Sequence, residues 1–245
     1  MQILISCAKT MGAVDADIPF TTTPAFAGEA EAAVRQLAAL SPADLQVTLH
    51  VNAKIAAENA LRYGHFFDAG TPELPALAAY TGIVFRQIAP ERLVRADLEY
   101  AQQHLFITSF LYGLLRPFDA IRPYRLEGNV RLPDEDGPTR FDYWQPLLTD
   151  HLIRAVKADD GILVNLASAE MKRLFDWRRV CREVQVITPE FKVMQEGKWR
   201  TVVIYTKMCR GQMTRFLLQR HPVTTDELQD FEPDIEGVAA VARLR

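Results

Sequence analysis

The chain has 245 residues, of which 49% are hydrophobic, 24% charged and 9% aromatic; this is the profile of a globular protein and excludes a disordered, collagenous or low-complexity chain. The length leaves room for one large domain or two small ones. A formal net charge of −3 argues, as a sum, against nucleic acid as a partner, but a sum is silent on how the charge is distributed.

The longest uncharged apolar run, residues 105–115, is broken by Thr, Ser and Gly and falls well short of the ~20 residues a spanning helix needs. The opening MQILISCAKT has neither a basic segment nor a signal-length apolar run, so the expectation is a cytoplasmic protein. Three cysteines without a C-x-x-C pattern, Cys7, Cys181 and Cys209, fit reduced thiols in a cytosol.

In chain order, the continuous apolar run in residues 2–6 predicts a strand buried on both faces. Residues 15–24 form a polar, Pro-marked loop. Residues 27–40 place Ala30, Ala33, Val34, Leu37 and Leu40 at helical spacing. Ser41-Pro42-Ala43-Asp44 is a helix start with a hydroxyl cap and Pro at the first position, and a further helix runs from Asn52 to about Tyr63. Residues 78–85 read as a buried β or mixed segment, 90–104 as an amphipathic helix and 105–109 as a strand carrying the β-branched pair Ile107-Thr108. Gly113, Pro117 and Pro123 punctuate the next stretch. PDEDGPT within residues 131–140 marks a solvated loop, and residues 141–157 resume a helix. Residues 161–167 predict a buried strand, with Ser168 capping a helix over 169–175. Residues 184–194 and 199–206 flank the turn Gln195-Glu196-Gly197-Lys198 and read as an antiparallel hairpin; residues 211–219 read as a helix. Without a repeat or a flexible linker, the expected architecture is one α/β domain over residues 1–245, a mixed sheet flanked by helices.

Three predicted strands run into polar groups: residues 3–5 into Ser6 and Lys9, residues 163–164 into Asn165, Ser168 and Glu170, and residues 203–205 into Lys207 and Arg210. Strand C-termini in α/β sheets form the crevice where ligands bind, and helices starting at Ser168 and Gly211 would add anion-attracting N-termini. A phosphate-bearing ligand follows, countered by Lys9, Lys207 and Arg210; the bland alternative is that these groups merely cap helices or are solvated. A second candidate is the Gly113 loop, where a glycine between Tyr112 and Leu114 permits a turn with exposed backbone donors, near Arg116, Arg122 and Arg125. A tight structural loop explains the same residues equally well.

The charge is polarised. Residues 170–220 hold 12 Lys/Arg against 5 Asp/Glu, residues 11–75 hold 3 against 8, and residues 226–245 hold 2 against 6. A basic block over that stretch keeps nucleic acid in play despite the net charge. The five histidines have no H-E-x-x-H or close Cys/His spacing, so no metal or cofactor site is expected. Cys7 and Cys209 each stand two residues from a lysine that would lower a thiol pKa, although most cysteines in such settings are inert.

Five ordered motifs now carry a resemblance: Leu4-Ile5-Ser6-x-Ala8-Lys9-Thr10; Ala101-Gln102-Gln103-His104-Leu105; Leu111-Tyr112-Gly113-Leu114-Leu115-Arg116-Pro117 with Pro123-Tyr124-Arg125-Leu126-Glu127; Asn165-Leu166-Ala167-Ser168-x-Glu170; and Lys207-x-x-Arg210-Gly211-x-Met213-x-Arg215-Phe216. Together they resemble the YaaA peroxide-stress family. The resemblance implies a cytosolic bacterial protein of the hydrogen-peroxide response that limits damage to DNA and proteins by lowering unincorporated iron. It also implies a single-domain α/β fold with a positively charged cleft, a helix-hairpin-helix-like element and DNA binding. The chain departs from the family pattern at Cys7, where Pro is expected, at Met171, where an aromatic is expected, and past Phe231, where a Gly-Tyr-x-Phe ending is missing.

Three readings follow. In the first, the protein grips duplex or distorted DNA by its phosphates, with Arg116, Arg122, Arg125, Lys207, Arg210 and Arg215 supplying charge and the Gly113 loop supplying backbone donors. In the alternative it is an enzyme: Lys9, Asn165, Ser168 and Lys207 form a pocket for a small phosphorylated or nucleotide-like molecule, with Glu170 as general base. Direct iron sequestration, the third, lacks a clustered ligand set.

Overall fold

The structure, a computed structural model, describes residues 1–133, 137–236 and 239–243; Asp134, Glu135 and Asp136 of the expected solvated loop lie outside the described residues. Along the chain the elements are β1 (Gln2–Ile5), α1 (Ala27–Ala38), α2 (Pro42–Thr48), α3 (Ala53–Gly64), β2 (Leu74–Pro75), α4 (Ala76–Ala79), α5 (Ile83–Ile88), α6 (Arg95–His104), β3 (Leu105–Ser109), β4 (Gly113–Leu115) and β5 (Ala120–Ile121). They continue with α7 (Arg140–Ala158), β6 (Ile162–Asn165), α8 (Ala169–Lys172), α9 (Trp177–Glu183), β7 (Gln185–Ile187), β8 (Glu190–Gln195), β9 (Lys198–Arg200), α10 (Val203–Arg220) and β10 (Ala240–Arg243).

Local chemistry explains most of these boundaries. Ser41 and Asn52 accept from the backbone N–H groups of Asp44 and Ile55 at 3.2 and 2.9 Å, which satisfies donors that a helix start leaves orphaned. Thr139 and Asp142 form a reciprocal capping box at the head of α7. Every residue of β1 is buried, as its unbroken apolar run requires, and the buried Gln2 amide donates to Asp159 Oδ2 at 2.8 Å.

Among the described residues the main sheet has the order β4-β3-β1-β6-β7. β1 pairs in parallel with β3 on one side and β6 on the other, with Ile3 opposite both Leu105 and Val164; β7 continues the parallel set and β4 closes the far edge antiparallel to β3. Helices flank this mixed sheet, and one hydrophobic cluster runs from Ile3, Leu4 and Ile5 through Ile107, Trp144 and Val164. A smaller sheet has the order β10-β8-β9. No helix among the described residues is long and apolar enough to cross a membrane.

The structure corrects three sequence expectations. Residues 78–85 are split between the end of α4, whose alanines favour helix, and the start of α5, with Tyr80 between them bridged to Met11. The stretch 184–194 is split at Thr188-Pro189: Pro cannot donate to a ladder, so β7 stays in the main sheet while β8 leaves for the small one. The hairpin turn at residues 195–198 is present, but its second strand ends at Arg200 and residues 203–205 start α10 instead of a strand.

Candidate functional site

Because β3 and β6 lie on opposite sides of β1, the chain changes direction around the C-terminal end of β1, and such a switch point leaves a crevice beyond the strand ends. A cleft of about 460 Å³ lies there. Its inner edge is the stretch after β1, residues 6–10, flanked by Phe110 after β3 and by Ser168, Glu170 and Met171 after β6. The strand exits are tied together. The Ser168 N–H donates to Ser6 Oγ at 2.9 Å, and the Cys7 N–H donates to Thr108 Oγ1 at 3.3 Å.

The opposite wall comes from α5 and α10, which contribute Gly82, Ile83, Val84, Arg86, Lys207 and Arg210. Two glycines permit this wall to close. A Cβ on Gly82 would stand 2.7 Å from Ala8 Cβ, and one on Gly211 would overlap the Val84 carbonyl, so α10 and α5 meet backbone to backbone. A third side is formed by Tyr124, Arg125, Leu126 and Glu127.

The charged lining divides into paired and unpaired groups. Glu127, 14% exposed, takes Lys9 at 3.0 Å and Arg125 at 2.6 Å, and Arg125 also donates to the Lys9 carbonyl at 3.3 Å. Arg86 donates to the Thr81 carbonyl. Lys207 and Arg210 have no carboxylate partner among the described residues; burial draws the Arg210 pKa below its ordinary value, as expected for a cation that has lost water without gaining an anion. At the floor, Tyr124 Oη lies 2.9 Å from Tyr80 Oη and 2.7 Å from Ser109 Oγ. Burial pushes both phenols well above their ordinary pKa, so they remain protonated hydrogen-bonding groups. The Cys7 thiol is pushed up to about 12, first by burial and then by Glu127 and Glu170; it is a neutral thiol in this setting, contrary to the lowering a nearby lysine suggested.

Of the residues singled out from sequence, the cleft gathers Ser6, Lys9, Arg125, Ser168, Glu170, Lys207 and Arg210. Asn165 sits beneath it, 2% exposed, with its Oδ1 accepting from the Ala167 N–H and its Nδ2 donating to Thr188, each at 3.2 Å. Arg116 is turned into the protein: it donates to Gln2 Oε1 at 3.0 Å and to the Leu105 carbonyl at 3.2 Å, with its guanidinium 3.5 Å from the Phe106 ring centroid. Arg122 donates to the Phe66 carbonyl and pairs with Glu73 at 3.3 Å. Arg215 lines a separate groove with Arg92 and Asp234. Gly113 has a φ of +70°, as the loop argument asked, but lies in β4 where a Cβ would meet Trp144 at 2.8 Å. Its glycine is therefore explained by close packing. Lys207, Cys209 and Arg210 follow no strand, and Gly211 lies mid-helix; no helix N-terminus begins there.

Arg86 and the Tyr124 hydroxyl were not anticipated as parts of the site. The signal for Arg86 was Gly82, a break between apolar residues that opens α5; Tyr124 read as an ordinary core aromatic. Among the described residues no group of three or more His, Cys, Asp or Glu side chains is placed to hold a metal ion.

Comparison with known proteins matches residues 1–241 to the family model described as peroxide stress protein YaaA. A UPF0246 protein of Bacteroides fragilis is 54% identical over 232 residues, covering 94% of this chain and 90% of its own. Proteins of the same name from Porphyromonas gingivalis and Tolumonas auensis are 47% and 35% identical, covering 96% and 94% of this chain and 93% and 90% of theirs.

Proposed function

The chain belongs to the peroxide stress protein YaaA family, and from that premise we propose that it limits peroxide damage to DNA and proteins by lowering unincorporated iron, and that it engages DNA through the cleft. The observation that carries the DNA reading is the convergence of Lys9, Arg86, Arg125, Lys207 and Arg210 on one concave surface whose acids, among the described residues, are Glu127 and Glu170. Five cations against two carboxylates support the reading of a positively charged cleft, and cations without base-reading partners bind phosphates irrespective of sequence. The overall charge of −3 does not oppose this, because most of the acidic residues lie outside the cleft lining.

In this reading Lys207 and Arg210 make the main phosphate contacts, since no carboxylate among the described residues competes for them. Lys9 and Arg125 contribute only as far as Glu127 releases them. For the helix-hairpin-helix-like element we propose α2 and α3, two helices joined by residues 49–52. Lys54 and Arg62 there are balanced by Asp44 and Glu58, so we give this pair a supporting place and the cleft the contact.

Anisotropy of a labelled duplex across a salt series tests the DNA contact. Affinity should fall steeply with salt and be largely lost in Lys207→Glu/Arg210→Glu; a double variant that binds like the parent would overturn it. The iron reading is tested in cells lacking the protein. Chelatable iron under peroxide should fall on complementation with the parent chain and remain high with the double variant. Equal rescue by both would separate the iron effect from the cleft.

A further inference from the structure

We propose that the cleft is a receptor for one nucleoside monophosphate unit, held as a free nucleotide or as an unpaired nucleotide of a strand. The inference rests on the cleft reading above and goes beyond it in naming what enters the recess. A duplex backbone is convex and polar and needs only a charged surface. This site is instead a recess of about 460 Å³, within the ~300–1,000 Å³ that encloses a small organic ligand and far more than the ~30 Å³ share of one water, so a lone phosphate would leave most of it empty.

The lining sorts into three chemistries that match the three parts of such a ligand. Lys207 and Arg210, without a carboxylate partner among the described residues, stand on the α10 wall at i and i+3 and suit a phosphate. Ala8, Ile83, Phe110 and Met171 form an apolar surface that a sugar phosphate, hydroxylated all round, would dehydrate for no return; the faces of a planar base gain by covering it. Glu170 is the third part. A carboxylate inside an anion site would repel a bare phosphate, but it accepts from ribose hydroxyls or from a base amino group. Ser6 and Ser168 serve as acceptors for backbone N–H groups, which leaves their own hydroxyl protons to donate.

Thermal shift of the full chain, with a parallel duplex-binding assay, tests the inference. Nucleoside monophosphates at about 100 times their Kd should raise Tm by at least ~5 °C, with ribose 5-phosphate and inorganic phosphate giving markedly less. Ile83→Trp, which fills the recess, should abolish the shift. If that variant does not fold, Lys207→Gln provides the second arm: affinity for the monophosphate should fall about tenfold while that for the corresponding nucleoside stays unchanged. An equal shift with inorganic phosphate would overturn the inference; loss of the nucleotide shift together with all duplex and single-strand binding would instead bring down the cleft reading on which it rests. If free nucleotides are inert but a single strand binds better than the same sequence fully paired, and Ile83→Trp removes that preference, the ligand is a nucleotide within a strand. Equal binding of single strand and duplex together with inert nucleotides refutes the receptor.

Discussion

Arg116 and Lys207 carry the same formal charge in opposite settings, and the difference lies in what each has already bound. Arg116 has its donors on Gln2 and Leu105 and its face on Phe106; burial pulls its pKa down to about 10, and little of it is left for a ligand. Arg116→Gln should therefore lower unfolding stability by about 2 kcal/mol, the scale of losing a charged hydrogen-bonding group and stranding its acceptors, with no change in the salt slope of DNA binding. Lys207→Gln should do the reverse: stability within about 0.5 kcal/mol of the parent and a slope of log K against log salt reduced by ~0.9. Urea titration and a salt series on the two variants check this, and a shallower slope for Arg116→Gln would reassign that arginine to the interface. Cys7 provides a second residue-scale prediction. With a pKa of about 12, its thiolate is roughly one part in 10⁵ at pH 7, and the thiolate is the nucleophile. Brief iodoacetamide treatment of the folded protein at pH 7.5 should label the exposed Cys181 and spare Cys7 and the buried Cys209; equal labelling of Cys7 would show a thiol open to peroxide.

The wall that holds Lys207 and Arg210 depends on one element packing against another. α10 reaches α5 only because Gly211 has no side chain to strike Val84 and Gln87, and the Gln212 amide then donates to Gln87 Oε1 at 3.0 Å. Gly211→Ala should cost about 1–3 kcal/mol by overpacking, read as a lowered urea midpoint, and should weaken DNA binding as the wall shifts; an unchanged midpoint would mean that the helices separate freely. The same element shows where sequence reading reaches its limit. β1, β3 and β6 were legible because strands buried on both faces advertise themselves as short β-branched apolar runs, and with them came Ser6, Lys9 and Ser168 at the strand exits. Val202-Val203-Ile204-Tyr205 carries the same signature, yet Val203 and Ile204 are 70% and 51% exposed and helical. The helical pattern downstream extends back through them, and packing on α5 overrides local β preference. Lys207 and Arg210 were thus placed at the site for a mistaken local reason, while Arg86 was missed because only the folded α5–α10 contact brings it there. Arg116 and Arg122 looked alike to Arg125 in sequence; only their carbonyl and side-chain partners separate them.

On the scale of the whole molecule, carboxylates tie the ends of elements together and set how the fold meets acid. Glu183 on α9 receives Lys157 of α7 and Arg179, each at 2.8 Å, which hold its pKa down at about 2, and Arg179 extends the link to Asp150 of α7 at 2.6 Å. Asp142 is held below the usual carboxylate range by the Thr139 hydroxyl in the α7 cap, and Glu227 by the Val223 and Thr224 N–H groups. Asp159 is also lowered: partial burial opposes its charge, but the Gln2 amide and the N-terminal ammonium outweigh it. For each, the folded pKa lies below the unfolded one, so between the two values the unfolded chain binds more protons and stability rises with pH. The contribution is complete above about pH 4.5 and is lost as pH falls toward 2. Asp119, raised by burial, has the opposite sign and softens the trend without reversing it, being one group against four. His104 and His151, both lowered from 6.5 by burial, carry the same sign at higher pH, because the unfolded chain protonates there first. The melting temperature should therefore decline gently from pH 7 to about 5 and fall further below pH 4, and Glu183→Gln combined with Asp142→Asn should lower the neutral-pH value and flatten the limb below pH 4. A double variant that retains the parent's acid limb would place the acid sensitivity in other carboxylates and detach it from the α7–α9 clamp.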